Sequence, residues 1–340
     1  MKNIDWNSLG FDYVPTDINA RAYYKDGAWS ELEFTSDEYI KMHMSTTCLH
    51  YGLECFEGLK AFRGVDGKVR LFRADENGRR MASSARKLCL PVPPVELFVK
   101  ACYEVVKRNI DYVPPYESGA SLYLRPVLIG TKVGLGVKAS HEAMLIVFCS
   151  PVGPYFKGGM KPIKVIIDRV QDRAAPRGTG DIKAGGNYAS SIFSGEKAHT
   201  MGYSNVMYLD ATEHKYIEEC GAANFFGIKD GKYITPKSPS ILPSITNKSL
   251  RTLAEDMGLV VEERPVPVEE LASFEEAGAC GTAAVISPIG YVFDIDTEEK
   301  VIYGNGEEVG PTCLALYNHL RDIQYGRAED KFGWTVVVEE

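Results

Sequence analysis

The sequence predicts a two-domain protein of α+β or mixed α/β class, and three observations carry that expectation. The chain has 340 residues, too many for one ordinary core, so a division into about two domains of ~150 residues follows. Two Asp-Gly dipeptides, at 66–67 and 230–231, lie between apolar stretches and mark hairpins. Other segments repeat their apolar residues at helical spacing, and hairpins mixed with helices argue against a purely parallel sheet.

In chain order, "KAFRGVDGKVRLF" (60–72) reads as the first hairpin. "ADENGRRMASSARKL" follows as a short amphipathic helix, with an acidic start and Met81, Ala82 and Leu88 on one side. "PPVELFVKACYEVVKRNI" is a second helix, opened by Pro93 and Pro94, with Phe98, Cys102, Val105 and Val106 on its apolar face. "SLYLRPVLIG" alternates, turning Leu122 and Leu124 one way and Tyr123 and Arg125 the other. "AMLIVFCSPVG" is apolar throughout and reads as a buried strand ending near Val152.

A Pro- and Gly-rich linker then separates a smaller N-terminal domain (1–153) from a larger C-terminal one (164–340), with the linker at 154–163. The second half begins with strand "VIID" (165–168) and a helix through "NYASSIFSGEKAHTMG". Strand "NVMYLD", the segment "YIEE" and the hairpin "NFFGIKDGKYITP" come next. "SITNKSLRTLAEDMG" is a helix with Leu250, Leu253, Ala254 and Met257 inward and Gly258 as its stop. "PTCLALYNHLRDIQYG" is the last, packing Leu314, Leu316, Leu320 and Ile323 ahead of a charged tail.

Composition narrows the function classes. With 45% apolar and 25% charged residues the chain is ordinary for a globular protein. A net charge of −8 argues against nucleic-acid binding, since no basic face replaces phosphate counterions, and favours small-molecule partners. The first residues, "MKNIDWNSLGFDYVP", show neither a signal nor a transit pattern, and no membrane role is expected. Cys48, Cys55, Cys89, Cys102, Cys149, Cys220, Cys280 and Cys313 lack C-x-x-C spacing, so free thiols in a cytoplasmic setting are expected. The scattered histidines supply no metal site.

The chemistry-bearing stretch is "DIKAGGNYASSIFSG". Gly180 and Gly185 bracket it like a phosphate loop, but a Walker loop needs Lys and then Ser or Thr after its second glycine, and here Gly186 and Asn187 follow. Lys183 stands inside the loop, where a partly neutral amine could act as a nucleophile; the ordinary alternative is a solvated loop lysine. What separates the two is whether other groups form a set suited to a phosphorylated aldehyde cofactor.

Such a set exists. "ILPSITNKSL" places Ser244, Ile245 and Thr246 at a helix start, where free N–H groups would hold a phosphate, although alone it reads first as an ordinary capped helix. "GACGTAAVISPIG" offers Thr282 behind Gly281, and Arg80 a cationic fork, although helical arginines are usually solvated. In "YIEECGAANFFGI" a strand-end glutamate could keep a pyridine nitrogen protonated; the ordinary alternative is two solvated strand-end carboxylates. Glu218 and Glu219 face opposite ways, and periodicity does not choose between them.

Taken in order, "LHYGLECFEGLKAFRG", "LYLRPVLIG", "DIKAGGNYA", "EECGAANFFGI", "ILPSITNKSL" and "GTAAVISPIG" resemble the branched-chain amino-acid aminotransferases, pyridoxal-phosphate enzymes of fold type IV. The resemblance runs from Trp6 to Gly326. It implies a two-domain fold with pyridoxal 5′-phosphate between the domains, a homodimer, and reversible ping-pong transfer between L-leucine, L-isoleucine or L-valine and 2-oxoglutarate. By the same resemblance Lys183 forms the Schiff base with the cofactor. Glu219 meets the pyridine nitrogen, Tyr188 the phenolic oxygen, and Arg80, Ile245, Thr246 and Thr282 the phosphate. Tyr51, Phe56, Tyr123, Arg125 and Tyr155 correspond to substrate-pocket positions, and Ala222 and Ala283 to the turns that bind the substrate carboxylate.

Two departures stand out. Some relatives carry a C-x-x-C pair after the "GT" turn, whereas "GTAAVI" has none, so no thiol switch is expected. Ala222 and Ala223 replace a common Thr-Met pair, removing a hydroxyl near the carboxylate turn. A D-amino-acid aminotransferase or an aminodeoxychorismate lyase would keep Lys183 and Glu219 on the same fold. A nucleotide-binding or thiol-regulatory module is the reading from another class.

Overall fold

The computed structural model describes residues 1–339. Its contacts divide it into two compact units, one formed by Met1–Tyr155, Ile182–Gly185 and Asp322–Glu340, the other by Phe156–Asp181 and Gly186–Arg321. The change at Tyr155 and Phe156 falls in the Pro- and Gly-rich stretch. Two segments group differently from a division at 154–163. Ile182–Gly185, with Lys183, joins the first unit because Phe56 N–H donates to the Lys183 carbonyl and Ala184 bridges Cys55. The last residues join it because Thr335–Val338 pairs with Val69–Phe72.

The first unit is built on an antiparallel sheet of nine strands. Along its main path lie Thr335–Val338, Val69–Phe72, Leu59–Arg63, Ser121–Gly130, Ala143–Val152, Asn19–Lys25 and Ala28–Trp29. Glu33–Thr35 and the short strand Glu54–Phe56 pair off this path, the latter with Ser121–Gly130. Helices Ala74–Lys87 and Val95–Arg108 complete the unit's core, where Met81, Phe98, Val105 and Val106 pack with Leu71, Leu122, Leu124 and Leu145. Burying each of these eight side chains contributes about 1.5–3 kcal/mol by removing apolar surface from water.

The second unit holds a mixed sheet of nine strands. Ile163–Ile167 pairs in parallel with both Asn205–Leu209 and Val285–Asp294, as Lys232–Pro236 does with Val260–Arg264. Ile217–Cys220 pairs with Asn205–Leu209 on one side and Ala223–Lys229 on the other, closing the sheet into a ring. Helix Ile245–Asp256 buries Leu250, Leu253 and Ala254 completely. The hairpin at 230–231 has positive φ at both Asp230 (48°) and Gly231 (69°), the geometry of a type I′ turn.

Several expectations are corrected. The helix expected from 187 to 202 is two, Gly185–Ala189 and Ile192–Thr200, because the Ser190 and Ser191 hydroxyls bond Asn187 and Tyr188 carbonyls and compete with the helical ladder. Met257 is 39% exposed, at the C-cap where the helix ends. Leu314 is 42% exposed: the buried stripe of that helix is Cys313, Leu316, Leu320 and Ile323, and Leu314 lies one step off it. The charged tail contains a strand, Thr335–Val338, whose β-branched residues suit a pleated surface.

Candidate active site

Lys183 is fastened through its backbone within the first unit. Its N–H donates to Ser84 Oγ at 3.1 Å, and its carbonyl accepts from Phe56 N–H at 3.1 Å. Two residues on, Gly185 N–H donates to Glu54 Oε1 at 2.7 Å. A Cβ at that position would lie 2.0 Å from that oxygen, so a larger residue would have to displace the Glu54 carboxylate. Burial raises the Glu54 carboxyl above its ordinary pKa, with the bond from Gly185 opposing the shift.

This backbone places Lys183 Nζ 4.7 Å from the centre of the Phe56 ring. The Arg125 guanidinium lies 4.9 Å from the same ring and 5.3 Å from the Tyr123 ring. Arg125 Nη2 donates to the Tyr123 hydroxyl at 3.2 Å, while its Nε is buried with no hydrogen-bond partner among the described residues. Alternation along Ser121–Gly130 explains the pairing: Leu122 and Leu124 are fully buried, and Tyr123 and Arg125 share the other face. Gly58 makes room for Tyr123, since a Cβ there would lie 2.1 Å from the phenolic oxygen. Phe11 packs edge-on against Tyr123 at 5.2 Å between ring centres.

Arg80 stands one helical turn before Ser84 on Ala74–Lys87 and is not the solvated helical arginine that base expectation suggests. Its Nε and Nη2 donate to the two carboxylate oxygens of Glu57 at 2.9 and 2.7 Å.

In the second unit both strand-end glutamates are buried rather than solvated, and their partners differ. Glu218 Oε1 accepts from Ser238 Oγ at 2.7 Å, and burial raises its pKa. Glu219 Oε1 accepts from Leu242 N–H at 2.7 Å and lies 3.5 Å from Arg173 Nη2. Leu242 leads directly into the helix Ile245–Asp256. Ser244 caps this helix by accepting from Asn247 N–H at 3.2 Å, and Ile245 and Thr246 form its first turn. Tyr188 sits on Gly185–Ala189, which is tied to the Arg173 segment: Thr179 and Asn187 exchange hydrogen bonds of 2.7 and 2.6 Å, and Ser190 Oγ donates to Arg173 O.

Ala222 lies in the turn between Ile217–Cys220 and Ala223–Lys229. Thr282 and Ala283 lie in the turn between Glu276–Gly281 and Val285–Asp294. A Cβ on Gly281 would meet Ala223 Cβ at 3.7 Å, so the two turns are neighbours. Val285 closes the second with a φ of 67°, an outlier for a β-branched residue and a local store of strain.

The family model for amino-transferase class IV matches residues 54–291, more than half of the chain. The chain belongs to the class IV aminotransferases. It is 50% identical to a branched-chain-amino-acid aminotransferase of Haemophilus influenzae, covering 100% of both chains. Among solved structures it resembles the branched-chain amino acid aminotransferase of Escherichia coli, with TM-score 0.80, 30% identity, and coverage of 95% of this chain and 100% of that one. It also resembles a branched-chain aminotransferase from the thermophilic archaea Thermoproteus uzoniensis, solved with norvaline, with TM-score 0.77, 27% identity, and coverage of 94% and 100%. A further structural relative is a branched-chain amino acid aminotransferase from T.th., complexed with N-(5′-phosphopyridoxyl)-L-glutamate, with TM-score 0.76, 27% identity, and coverage of 94% and 99%.

The family is the one that the six ordered motifs imply, and the fold class agrees with it. As a class IV aminotransferase the chain is an enzyme of amino-group transfer. Within its first unit the structure gathers Lys183, Phe56, Tyr123 and Arg125 into one set of contacts, with Arg80 on the helix that also holds Lys183. Tyr51 instead donates to the Leu135 carbonyl, and Tyr155 is 56% exposed at the end of the unit. Within the second unit, Glu219 stands next to the segment leading to Ile245 and Thr246, and the Ala222 and Thr282–Ala283 turns lie together.

Sequence reasoning did not single out Glu54, Glu57, Ser84, Arg173 or Phe11. Glu54 and Glu57 stand in the first quoted motif, which marked the stretch without marking them. The contacts of the other three join residues distant in sequence and left no local signal.

Proposed function

We propose that this aminotransferase exchanges amino groups between L-leucine, L-isoleucine or L-valine and 2-oxoglutarate, with pyridoxal 5′-phosphate as its cofactor. The observation that carries the reading is Lys183, pinned by its backbone to Ser84 and Phe56 with its amine and the Arg125 guanidinium over one phenylalanine ring. Taken unit by unit, the donors fit that cofactor: in the second, a buried carboxylate beside an arginine suits a protonated pyridine nitrogen and a capped helix start suits a phosphate, and in the first a forked arginine suits a phosphate.

When bound, the cofactor supplies an aldehyde for the lysine or substrate amine and a ring that accepts electrons. Lys183 Nζ would carry the proton from the substrate Cα to the cofactor carbon, a positioned base and acid in turn. Glu219 would hold the proton on the pyridine nitrogen, and Tyr188 would donate to the phenolic oxygen. Arg80 of the first unit, and the N–H groups of Ile245 and Thr246 and the Thr282 hydroxyl of the second, would hold the phosphate. Phe56 and Tyr123 would enclose the aliphatic side chain, with Tyr51 and Tyr155, which lie outside their set of contacts, completing the pocket across the dimer interface; Arg125 would receive the distal carboxylate of glutamate, and the Ala222 and Ala283 turns the α-carboxylate. The enzyme works as a cytoplasmic homodimer.

The test is borohydride reduction of the purified protein followed by mass spectrometry. A phosphopyridoxyl group on Lys183, lost together with amino transfer in Lys183→Ala, is the expected result. Label on another lysine, or undiminished transfer by the variant, refutes the assignment.

A further inference from the structure

Glu57 has no solvent exposure, and its carboxylate faces side chains of one helix. Arg80 Nε donates to Oε1 at 2.9 Å and Arg80 Nη2 to Oε2 at 2.7 Å. Asn77, three residues earlier, donates from Nδ2 to Oε2 at 2.8 Å. The Glu57 main-chain N–H donates to Pro126 O at 2.8 Å, anchoring the residue to the strand that carries Tyr123 and Arg125. The attraction within a buried ion pair is offset by the hydration both groups lose, so cohesion is a poor account of this arrangement.

Direction is a better one. A guanidinium is planar with five N–H donors, and this side-on fork uses one on Nε and one on Nη2. Covalent geometry then holds the two donors of Nη1 and the second of Nη2 on the edges that face away from Glu57. The plane cannot turn without breaking both bonds. Glu57 therefore fixes which edge of Arg80 is offered to a ligand. We propose that Glu57 is a positioning residue, orienting Arg80 to receive the phosphate group of the cofactor. This rests on the pyridoxal-phosphate reading, and Glu57 acts through Arg80 rather than on the ligand.

A positioning role of this kind is selective for the phosphate, which gives it a signature that general loosening of the fold lacks. Apoenzyme is titrated with pyridoxal 5′-phosphate and, separately, with pyridoxal, following the absorbance of bound ligand. In Glu57→Gln the amide retains the shape but presents only one acceptor oxygen to an arginine that only donates. Binding of pyridoxal 5′-phosphate is expected to weaken by about tenfold or more, with pyridoxal changed by less than about twofold. Arg80→Lys should show the same selectivity, and Glu57→Gln added to it should weaken binding no further. Equal weakening for both ligands, or none for either, overturns the proposal. If circular dichroism shows that Glu57→Gln does not fold, Glu57→Asp takes its place under the same criteria, since it keeps the charge but is too short for the fork. Wild-type apoenzyme that takes up neither ligand overturns the pyridoxal-phosphate reading; wild type that discriminates while the variants match it overturns only the role of Glu57.

Discussion

Replacing Arg125 with methionine should separate the two substrates that one pocket must accept. The guanidinium lies over Phe56 and Tyr123 with a buried Nε that no described residue engages. Two charge-assisted hydrogen bonds to the distal carboxylate of glutamate, at about 1.5 kcal/mol each, make ~3 kcal/mol, or roughly a hundredfold in kcat/KM. An aliphatic substrate side chain cannot make those bonds. For leucine the variant loses about 0.5–1 kcal/mol of cation–π contact around the pocket. Methionine sulfur beside the two rings restores a similar amount, so the leucine value should stay within about threefold. The assay is the half-reaction, following the change in cofactor absorbance with L-leucine and L-glutamate in separate experiments. Losses of equal size for both amino acids would refute the assignment of Arg125 to the distal carboxylate.

Gly58→Ala places a methyl 2.1 Å from the Tyr123 hydroxyl and 3.0 Å from Tyr123 Cζ, so the ring must move. Turnover of all substrates should fall by about tenfold or more with a small change in melting temperature, as for a misplacement near the chemistry. Burial raises the Glu54 carboxyl above its ordinary value of 4.5. Its contribution to stability is therefore fully present below that pH, where the group is protonated folded or unfolded, and is lost as pH rises through the raised folded value. Glu54→Gln keeps an acceptor for Gly185 N–H, so its melting temperature should gain on wild type as pH rises above 4.5; a constant difference across pH would count against this account. Burial pushes the Cys149, Cys220 and Cys280 thiols up to about 12. An alkylating reagent should label exposed Cys89 first, then half-buried Cys48, and reach these three only on unfolding.

Much of the fold was legible because it is written in short-range patterns. The helix Val95–Arg108 follows its apolar spacing, and both Asp-Gly hairpins form. Thr335–Val338 was hidden by the charges before and after it, although its side chains have the right preference; pairing with Val69–Phe72, more than 260 positions earlier, makes it a strand. The site was legible as a set of ordered motifs and much less so as chemistry. Nothing local distinguishes Glu219 from Glu218; what differs is the Leu242 amide and Arg173 on one side and Ser238 on the other. Neighbours in sequence leave Lys183 as an ordinary loop lysine; the backbone bonds to Ser84 and Phe56 and the approach of Nζ to the Phe56 ring come from residues about a hundred positions earlier.

Those contacts converge on one helix. Asn77, Arg80 and Ser84 fall three and four residues apart on Ala74–Lys87, a spacing that sets them on a single face. The first two bind Glu57, and the third accepts the Lys183 N–H. Glu57 in turn immediately follows Phe56, whose own N–H holds the Lys183 carbonyl. The lysine proposed for chemistry and the arginine proposed for phosphate therefore share a frame of one helical face and one short strand. Any displacement of the helix moves both anchors in the same direction. Substitutions at Glu57 and Ser84 should consequently be non-additive, because each alters the position of an element that the other also fixes.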